Sequence, residues 1–252
     1  MAKTTIITGA SRGIGLAIAE YLLRDGHNVV VVARSKAPLE ELQAKYPKQV
    51  RTLTGDMADF SLAKKIADLT IKEFGQIDGL VVNHGLLPPV SDVAESDVES
   101  WRKHFDVNFF NAVALAKATL PALRKSKGCI ILTSSGAAVN AMRTWGAYCC
   151  SKAALHHLGM NIAVEEPDIT TISIAPGVVD TEMQRELRDT HSSAMRSEDA
   201  ARFHTLHKDG GLLKPEQPGN VMARIVLNPP KEMSGNFVRW DNKEELGAYQ
   251  EK

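Results

Sequence analysis

The chain has almost no charge to spare and very little cysteine. Its 30 Lys and Arg residues balance 30 Asp and Glu residues, and no basic run stands out. Nothing therefore points to a nucleic-acid partner or an anionic membrane surface. No apolar stretch is long enough to span a bilayer. Cys129, Cys149 and Cys150 are the three cysteines, and they make no disulfide framework. Adjacency alone does not make Cys149 and Cys150 a redox pair, so they are read as small packing residues. His204 and His207 could share a helix face, but no third ligand accompanies them, and His156 and His157 face different directions; no metal site is expected. The chain also lacks low-complexity tracts, an interdomain linker and any internal repeat beyond a β–α alternation. Its first residues enter an apolar run without the pattern of a secretory leader. A reduced, cytoplasmic protein is the expectation.

What is present is a chain of 252 residues with 44% hydrophobic content, enough for one sizeable core. Short apolar runs at Thr4–Thr8, Val29–Ala33, Val50–Thr54, Gly79–Asn83, Cys129–Ser134 and Thr170–Ala175 predict strands, with a seventh at Asn236–Trp240. Several are continuous in Val, Ile and Leu, as suits strands buried on both faces. Between them, Ile14, Ala17, Ile18, Tyr21 and Leu22 recur at helix-face spacing. Further helices are predicted near Pro38–Lys45, Ser61–Phe74, Asp97–Lys125 and Gly146–Glu166. This alternation predicts an α/β fold: one doubly wound domain over residues 1–252 with a seven-stranded parallel sheet. Residues 180–214 break the rhythm and are rich in charge, His and Met. They form either a lid over a site or a solvated surface excursion.

Thr8-Gly9-Ala10-Ser11-Arg12-Gly13-Ile14-Gly15 joins the first strand to the first helix. That context suits a nucleotide-binding turn, in which glycines admit a diphosphate and a helix N-terminus faces it. The spacing is Gly-x-x-x-Gly-x-Gly, not the dinucleotide fingerprint Gly-x-Gly-x-x-Gly. The second strand ends Val31-Val32-Ala33-Arg34-Ser35, without the acid that would bind a ribose 2′-hydroxyl. Arg34 and Arg12 are either solvated charges or the grip on a 2′-phosphate, and their two positions favour NADPH/NADP+.

Tyr148 and Lys152 lie four residues apart on one predicted helix face, with Ser135 thirteen residues upstream. A free tyrosine titrates near a pKa of about 10. A neighbouring ammonium favours the phenolate, so Lys152 is expected to lower the Tyr148 pKa. Such a phenol can give a proton to a carbonyl oxygen or take one from an alcohol. No Gly-x-Ser-x-Gly elbow surrounds Ser135, which argues against a hydrolase.

Together these residues resemble the short-chain dehydrogenase/reductase family over nearly the whole chain. The glycine turn, Asp56, Asn83-His84-Gly85, Asn108, Ser135, Tyr148, Lys152 and Pro176-Gly177 occur in the family's order and spacing. More narrowly, Phe105-Asp106-Val107-Asn108-Phe109-Phe110, Ser134-Ser135-Gly136-Ala137, Ala175 to Thr181 and Met183-Gln184 resemble fungal benzil reductases that form (S)-benzoin. These are similar in turn to sepiapterin reductase. The resemblance implies a Rossmann-like fold and a catalytic set of Asn108, Ser135, Tyr148 and Lys152. Tyr148 would be the acid/base, Ser135 would polarise the carbonyl, Lys152 would bind the nicotinamide ribose, and Asn108 would hold a water of a proton relay. The implied cofactor set is Gly9, Ser11, Arg12, Gly13, Ile14, Gly15, Arg34, Ser35, Asp56, Met57, Asn83, His84, Gly85, Asn108, Tyr148, Lys152, Pro176, Gly177, Val179 and Thr181. One departure is His84, where the family usually has Ala; it puts local packing in question.

The implied reaction is NADPH-dependent reduction of a ketone or aromatic 1,2-diketone. The alternatives are a sepiapterin-type pteridine carbonyl reductase and a non-catalytic NADP(H)-binding sensor. Ser135, Met142, Trp145 and Met183 are candidate substrate contacts; Trp145 either stacks on a substrate phenyl group or simply packs. A homodimer or homotetramer is expected, because in the resembling family the helices near 97–125 and 146–166 build a dimer face.

Overall fold

The computed structural model describes residues 1–250. Seven parallel strands form one sheet in the order β3-β2-β1-β4-β5-β6-β7. They are β1 (Thr4–Thr8), β2 (Asn28–Ala33), β3 (Val50–Thr54), β4 (Gly79–Val82), β5 (Cys129–Thr133), β6 (Thr170–Ala175) and β7 (Phe237–Arg239). The helices between them are α1 (Gly13–Arg24), α2 (Lys36–Lys45), α3 (Ser61–Phe74), α4 (Val98–Phe105), α5 (Asn111–Ser126), α6 (Gly146–Glu165), α7 (Glu182–Glu186), α8 (Ser197–Lys208) and α9 (Glu216–Leu227), and α10 (Lys243–Leu246) follows β7.

Strand residues alternate between two cores because successive side chains point to opposite faces. Ile7, Val29 and Val31 pack with Ile18, Leu22, Val221 and Ile225, beneath α1 and α9. Ile6, Val30 and Val32 pack with Ile66, Leu115, Leu155 and Ile162, beneath α3, α5 and α6. Each fully buried side chain of this size contributes about 1.5–3 kcal/mol. Strand order reverses between β1 and β4, so their carboxyl ends diverge into a crevice, the usual ligand position in an open α/β sheet.

The helix predicted as continuous over 97–125 is instead divided. Asp97 caps α4 by accepting from Glu99 N and Ser100 N at 3.3 and 2.9 Å, and a π-helical turn at Asp106–Phe110 separates α4 from α5. Such turns often carry functional residues, and this one carries Asn108. Segment 180–214 is mostly helical, in α7, a π-turn at Leu187–His191 and α8.

Candidate active site

The turn after β1 folds as its glycines require. Gly9 and Gly13 have φ of +66° and +58°, a region that side-chain-bearing residues rarely adopt. Gly15 supports the turn from beneath: a Cβ there would lie 2.4 Å from Gly9 O and 2.7 Å from Asn83 Nδ2. Asn83, at the end of β4, donates through Nδ2 to the Thr8 and Gly9 carbonyls at 3.2 and 3.3 Å. Arg12, the N-cap of α1, is extended at φ −166°, and no side chain caps that helix. The first N–H groups of α1 thus have no side-chain acceptor, as an anion site requires.

Two cavities follow the carboxyl edge of the sheet. The first, about 590 Å³, is lined by Gly9, Ser11, Arg12, Arg34, Ser35, Asp56, Met57, Asn83, His84 and Gly85. The second, about 760 Å³, is lined by Gly13, Ile14, Ser135, Met142, Trp145, Tyr148, Lys152, Pro176, Gly177, Val179, Thr181 and Met183. Arg12, Arg34, Asn83 and Gly85 line both cavities. An extended two-part molecule with phosphates at its middle fits this pair, with its phosphates at the α1 N-terminus. Of the residues expected at the cofactor, Gly15 and Asn108 line neither cavity. Gly15 allows the turn to close, and Asn108 stands behind the floor. A Cβ on Gly85 would lie 3.6 Å from both Asn108 Oδ1 and Lys152 Nζ, so that glycine borders the gap between them.

Tyr148 and Lys152 are the third and seventh residues of α6, and both are buried. Lys152 Nζ donates to Thr133 O at 2.7 Å and lies 5.7 Å from the centre of the Tyr148 ring. Burial pushes the Lys152 pKa down to about 8. The Tyr148 phenol moves the other way from the expectation. Burial pushes it up to about 12, and the hydrogen bond with the Ser135 side chain only partly offsets this. The ammonium is engaged by the Thr133 carbonyl rather than by the phenol oxygen, and desolvation of the phenolate wins. The chain alone holds a neutral tyrosine, which is a proton donor. Ser135 Oγ accepts from Ala137 N at 3.2 Å, which fixes the hydroxyl at the end of β5.

His84 resolves the packing question raised by its size. It is buried, with Nδ1 2.8 Å from Thr8 Oγ1 and Nε2 2.9 Å from Val107 O. Burial pushes its pKa down to about 4, so the ring is neutral. With a carbonyl facing Nε2, the proton sits there, and Nδ1 accepts from the Thr8 hydroxyl. The imidazole braces β1 against the π-turn.

Trp145 precedes α6 and is buried. Its ring stacks on Phe203 of α8, with centroids 5.9 Å apart and planes at 19°, and meets the Tyr148 ring edge-on at 5.9 Å. Leu87, Ala137, Leu187 and Phe203 complete this apolar cluster, with Met142, Val178 and Met183 packed against it. Leu87 was not expected here, Ala137 had appeared only within a family motif, and Leu187 and Phe203 lay in the 180–214 segment without being singled out. Phe203 is 58 positions from Trp145, and no local pattern links them. The segment 178–180 is pinned by a parallel bridge of Val179 to Leu213, through Asp180 N to Leu213 O at 2.8 Å and Leu213 N to Val178 O at 2.9 Å. Among the described residues, no group of three or more His, Cys, Asp or Glu could hold a metal ion, and no helix is long and apolar enough to cross a membrane.

Residues 3–192 match the family model described as short chain dehydrogenase. The chain belongs to that family. A benzil reductase ((S)-benzoin forming) of Saccharomyces cerevisiae is 40% identical to this dehydrogenase over 265 aligned residues, covering 99% of this chain and 100% of that protein. The crystal structure of a short chain dehydrogenase/reductase from the same yeast has a TM-score of 0.96 at 37% identity, covering 99% and 100% of the two chains. An alcohol dehydrogenase from the archaeon Thermococcus sibiricus, solved with 5-hydroxy-NADP, has a TM-score of 0.78 at 27% identity, covering 95% and 96%. As a short chain dehydrogenase, the protein is an oxidoreductase that binds a nicotinamide cofactor and acts on CH–OH or C=O groups.

Proposed function

We propose that this dehydrogenase is an NADPH-dependent carbonyl reductase that converts an aromatic 1,2-diketone of the benzil type to its hydroxyketone. The observation that carries the reading is the apolar wall of Trp145, Phe203, Leu187 and Leu87 set beside the hydroxyls of Tyr148 and Ser135. An aromatic ketone would rest its rings on that wall while its oxygen meets the two hydroxyls. The preference for NADPH is supported by the missing acid after β2 and by Arg12 and Arg34, both exposed and both lining the cavities. Arg12 has only a loose ion pair, with Glu182 at 3.9 Å, and so could turn to a 2′-phosphate.

When bound, the nicotinamide supplies the hydride. Ser135 donates a hydrogen bond to the substrate oxygen and polarises the carbonyl. As negative charge grows on that oxygen, Tyr148 delivers its proton, a contribution of about 10²–10⁴-fold in such reactions. Lys152 Nζ, which donates to the Thr133 carbonyl, lies 5.7 Å from the centre of the Tyr148 ring, and proton return to the phenol would run on that side. One carbonyl becomes CH–OH; the other is untouched. An oligomer is part of the same reading, supported by exposed Phe110 in the π-turn before α5 and exposed Met160 and Val164 on α6.

The test is reduction of a panel of benzil, phenyl-substituted monoketones and a side-chain-keto pterin, with NADPH against NADH and with product chirality read by chiral chromatography. Benzil with NADPH is expected to give the highest kcat/KM and an excess of (S)-benzoin. Preference for the pterin would replace the substrate class. NADPH binding without turnover of any carbonyl would leave a sensor.

A further inference from the structure

Behind the catalytic helix lies a buried histidine to which neither the family comparison nor the reaction gives a role. His104, the seventh residue of α4, is 1% exposed. Its Nδ1 is 2.6 Å from Pro88 O, and its Nε2 is 2.9 Å from both Asn108 Nδ2 and Ser151 Oγ. Its ring stands edge-on to that of Tyr148, with centroids 6.2 Å apart. Four positions separate it from Asn108, so one helical face carries both across the start of the π-turn.

The partners decide the tautomer. A carbonyl can only accept, so Nδ1 carries the proton toward Pro88. Nε2 is then an acceptor. The Asn108 amide needs one there: its Oδ1 takes Leu86 N–H at 3.0 Å and one Nδ2 hydrogen goes to Leu86 O at 2.9 Å. The second Nδ2 hydrogen points at His104. Ser151 Oγ is 2.9 Å from the Tyr148 carbonyl oxygen, and Ser151 itself sits next to Lys152. A single nitrogen therefore lies against both the π-turn, at Asn108, and the second turn of α6, at Ser151.

We propose that His104 is a positioning residue, a neutral imidazole that locks the Asn108 carboxamide and, through Ser151, sets the distance between the π-turn and the Tyr148–Lys152 helix. Its ring borders the first cavity, but both of its nitrogens are taken up by Pro88, Asn108 and Ser151. Burial and the Lys152 ammonium both favour the neutral ring, in line with this geometry. A protonated ring could still donate from Nε2 to Ser151 Oγ, but it would face the Asn108 NH₂ with an N–H and lose its hold on the carboxamide. The proposal rests on the carbonyl-reductase reading for its kinetic consequence, but not for the tautomer.

Three substitutions separate the two ring nitrogens. His104→Gln can place an acceptor near the Nε2 position, His104→Asn can keep only the bond to Pro88, and His104→Phe keeps bulk alone. Turnover is followed with whichever carbonyl the parent reduces fastest, alongside cofactor Kd by fluorescence and Tm. Expected is a fall in kcat of about tenfold or more for Phe and Asn, recovery to within about threefold for Gln, and cofactor Kd and KM within about twofold throughout. A kcat loss below about threefold in the Phe variant overturns the proposal, as does Gln performing no better than Asn. If the Phe variant does not fold, the Gln and Asn pair decides. Independently of any turnover, ¹⁵N shifts of the His104 ring should report the Nδ1–H tautomer; an Nε2–H ring overturns the proposal. A parent that reduces no carbonyl would defeat the functional reading while leaving the ¹⁵N result to stand or fall by itself.

Discussion

At the cofactor end of the cleft the chain turns on Gly9 and Gly13, and Asn83 pins the turn through backbone carbonyls. At the substrate end, Trp145 lies on Phe203 and the closing segment is fastened by Val179 and Leu213. The first region is specified by eight consecutive residues and one neighbour; the second by side chains that meet only after the sheet is complete. Polar satisfaction differs too. In the second region Trp145 Nε1, Gln184 Oε1 and Arg188 Nη1 are buried without a hydrogen-bond partner, whereas the Asn83 side chain donates to Thr8 and Gly9 and accepts from Thr133. Unpaired buried polar groups cost free energy that packing must offset. The turn behaves as a fixed mould and the lid as an adaptable wall.

The mould is the easier of the two to break. Gly15→Ala would put a Cβ 2.4 Å from Gly9 O and 2.9 Å from Gly9 C, with backbone rather than a flexible side chain in the way. Relieving that clash must move the turn, at a cost of about 1–3 kcal/mol or more. Calorimetric titration should find NADPH affinity reduced by about 100-fold if some 3 kcal/mol is lost at the phosphate site. Gly247→Ala, where nothing lies within 4 Å, should bind as the parent does. Equal affinity in both variants would mean that the turn is not a rigid mould.

A smaller effect is expected at the wall. Phe203→Ala removes the stacking partner of Trp145 and a buried ring from the lid. The aromatic pair is worth about 0.5–1.5 kcal/mol beyond area burial, or up to about tenfold in an equilibrium. Kinetics should read this as a KM for benzil raised by about tenfold, with the cofactor Kd unchanged. A change in cofactor affinity of the same size would erase the division between the two regions.

This contrast also explains what could be read from the chain. The glycine turn and the Tyr148–Lys152 pair could be read from spacing within one turn or one helix, whereas Asp56, Asn83 and the role of Ser135 came only with the family resemblance. The five inner strands were legible because both faces are buried; the edge strands β3 and β7 are only partly so, and β7 is shorter than expected, at Phe237–Arg239. The π-turn was not, because Asp106-Val107-Asn108-Phe109-Phe110 continues a helical pattern and only the brace from His84 to the Val107 carbonyl marks the change. Phe203 was hidden by chain distance. His104 had a usable signal, four residues before Asn108, and it went unread. The sign of the Tyr148 shift was missed for another reason. Proximity in sequence gave the ammonium, but not the depth of burial or the Thr133 carbonyl that engages it.

Lys152 stands where the two regions meet, and its titration gives the finest test. Its pKa falls from 10.5 to about 8 on burial, so below pH 8 the fold buries an ammonium and is penalised for it. Between those values the unfolded chain binds more protons than the folded one, so stability rises with pH. The contribution is complete above 10.5 and is lost as pH falls through about 8. At 1.36 kcal/mol per pKa unit the swing is about 3 kcal/mol. Lys152→Met removes the titrating group, so the Tm of the variant minus that of the parent should decrease from pH 7.5 to 10 by several degrees, at about 2–4 °C per kcal/mol. Tyr148 remains in both proteins and its raised pKa acts mainly above pH 10, so it largely cancels from the difference. A Tm difference that stays flat across this range would mean that the ammonium is hydrated from the cleft, and that the junction belongs with the adaptable wall rather than with the mould.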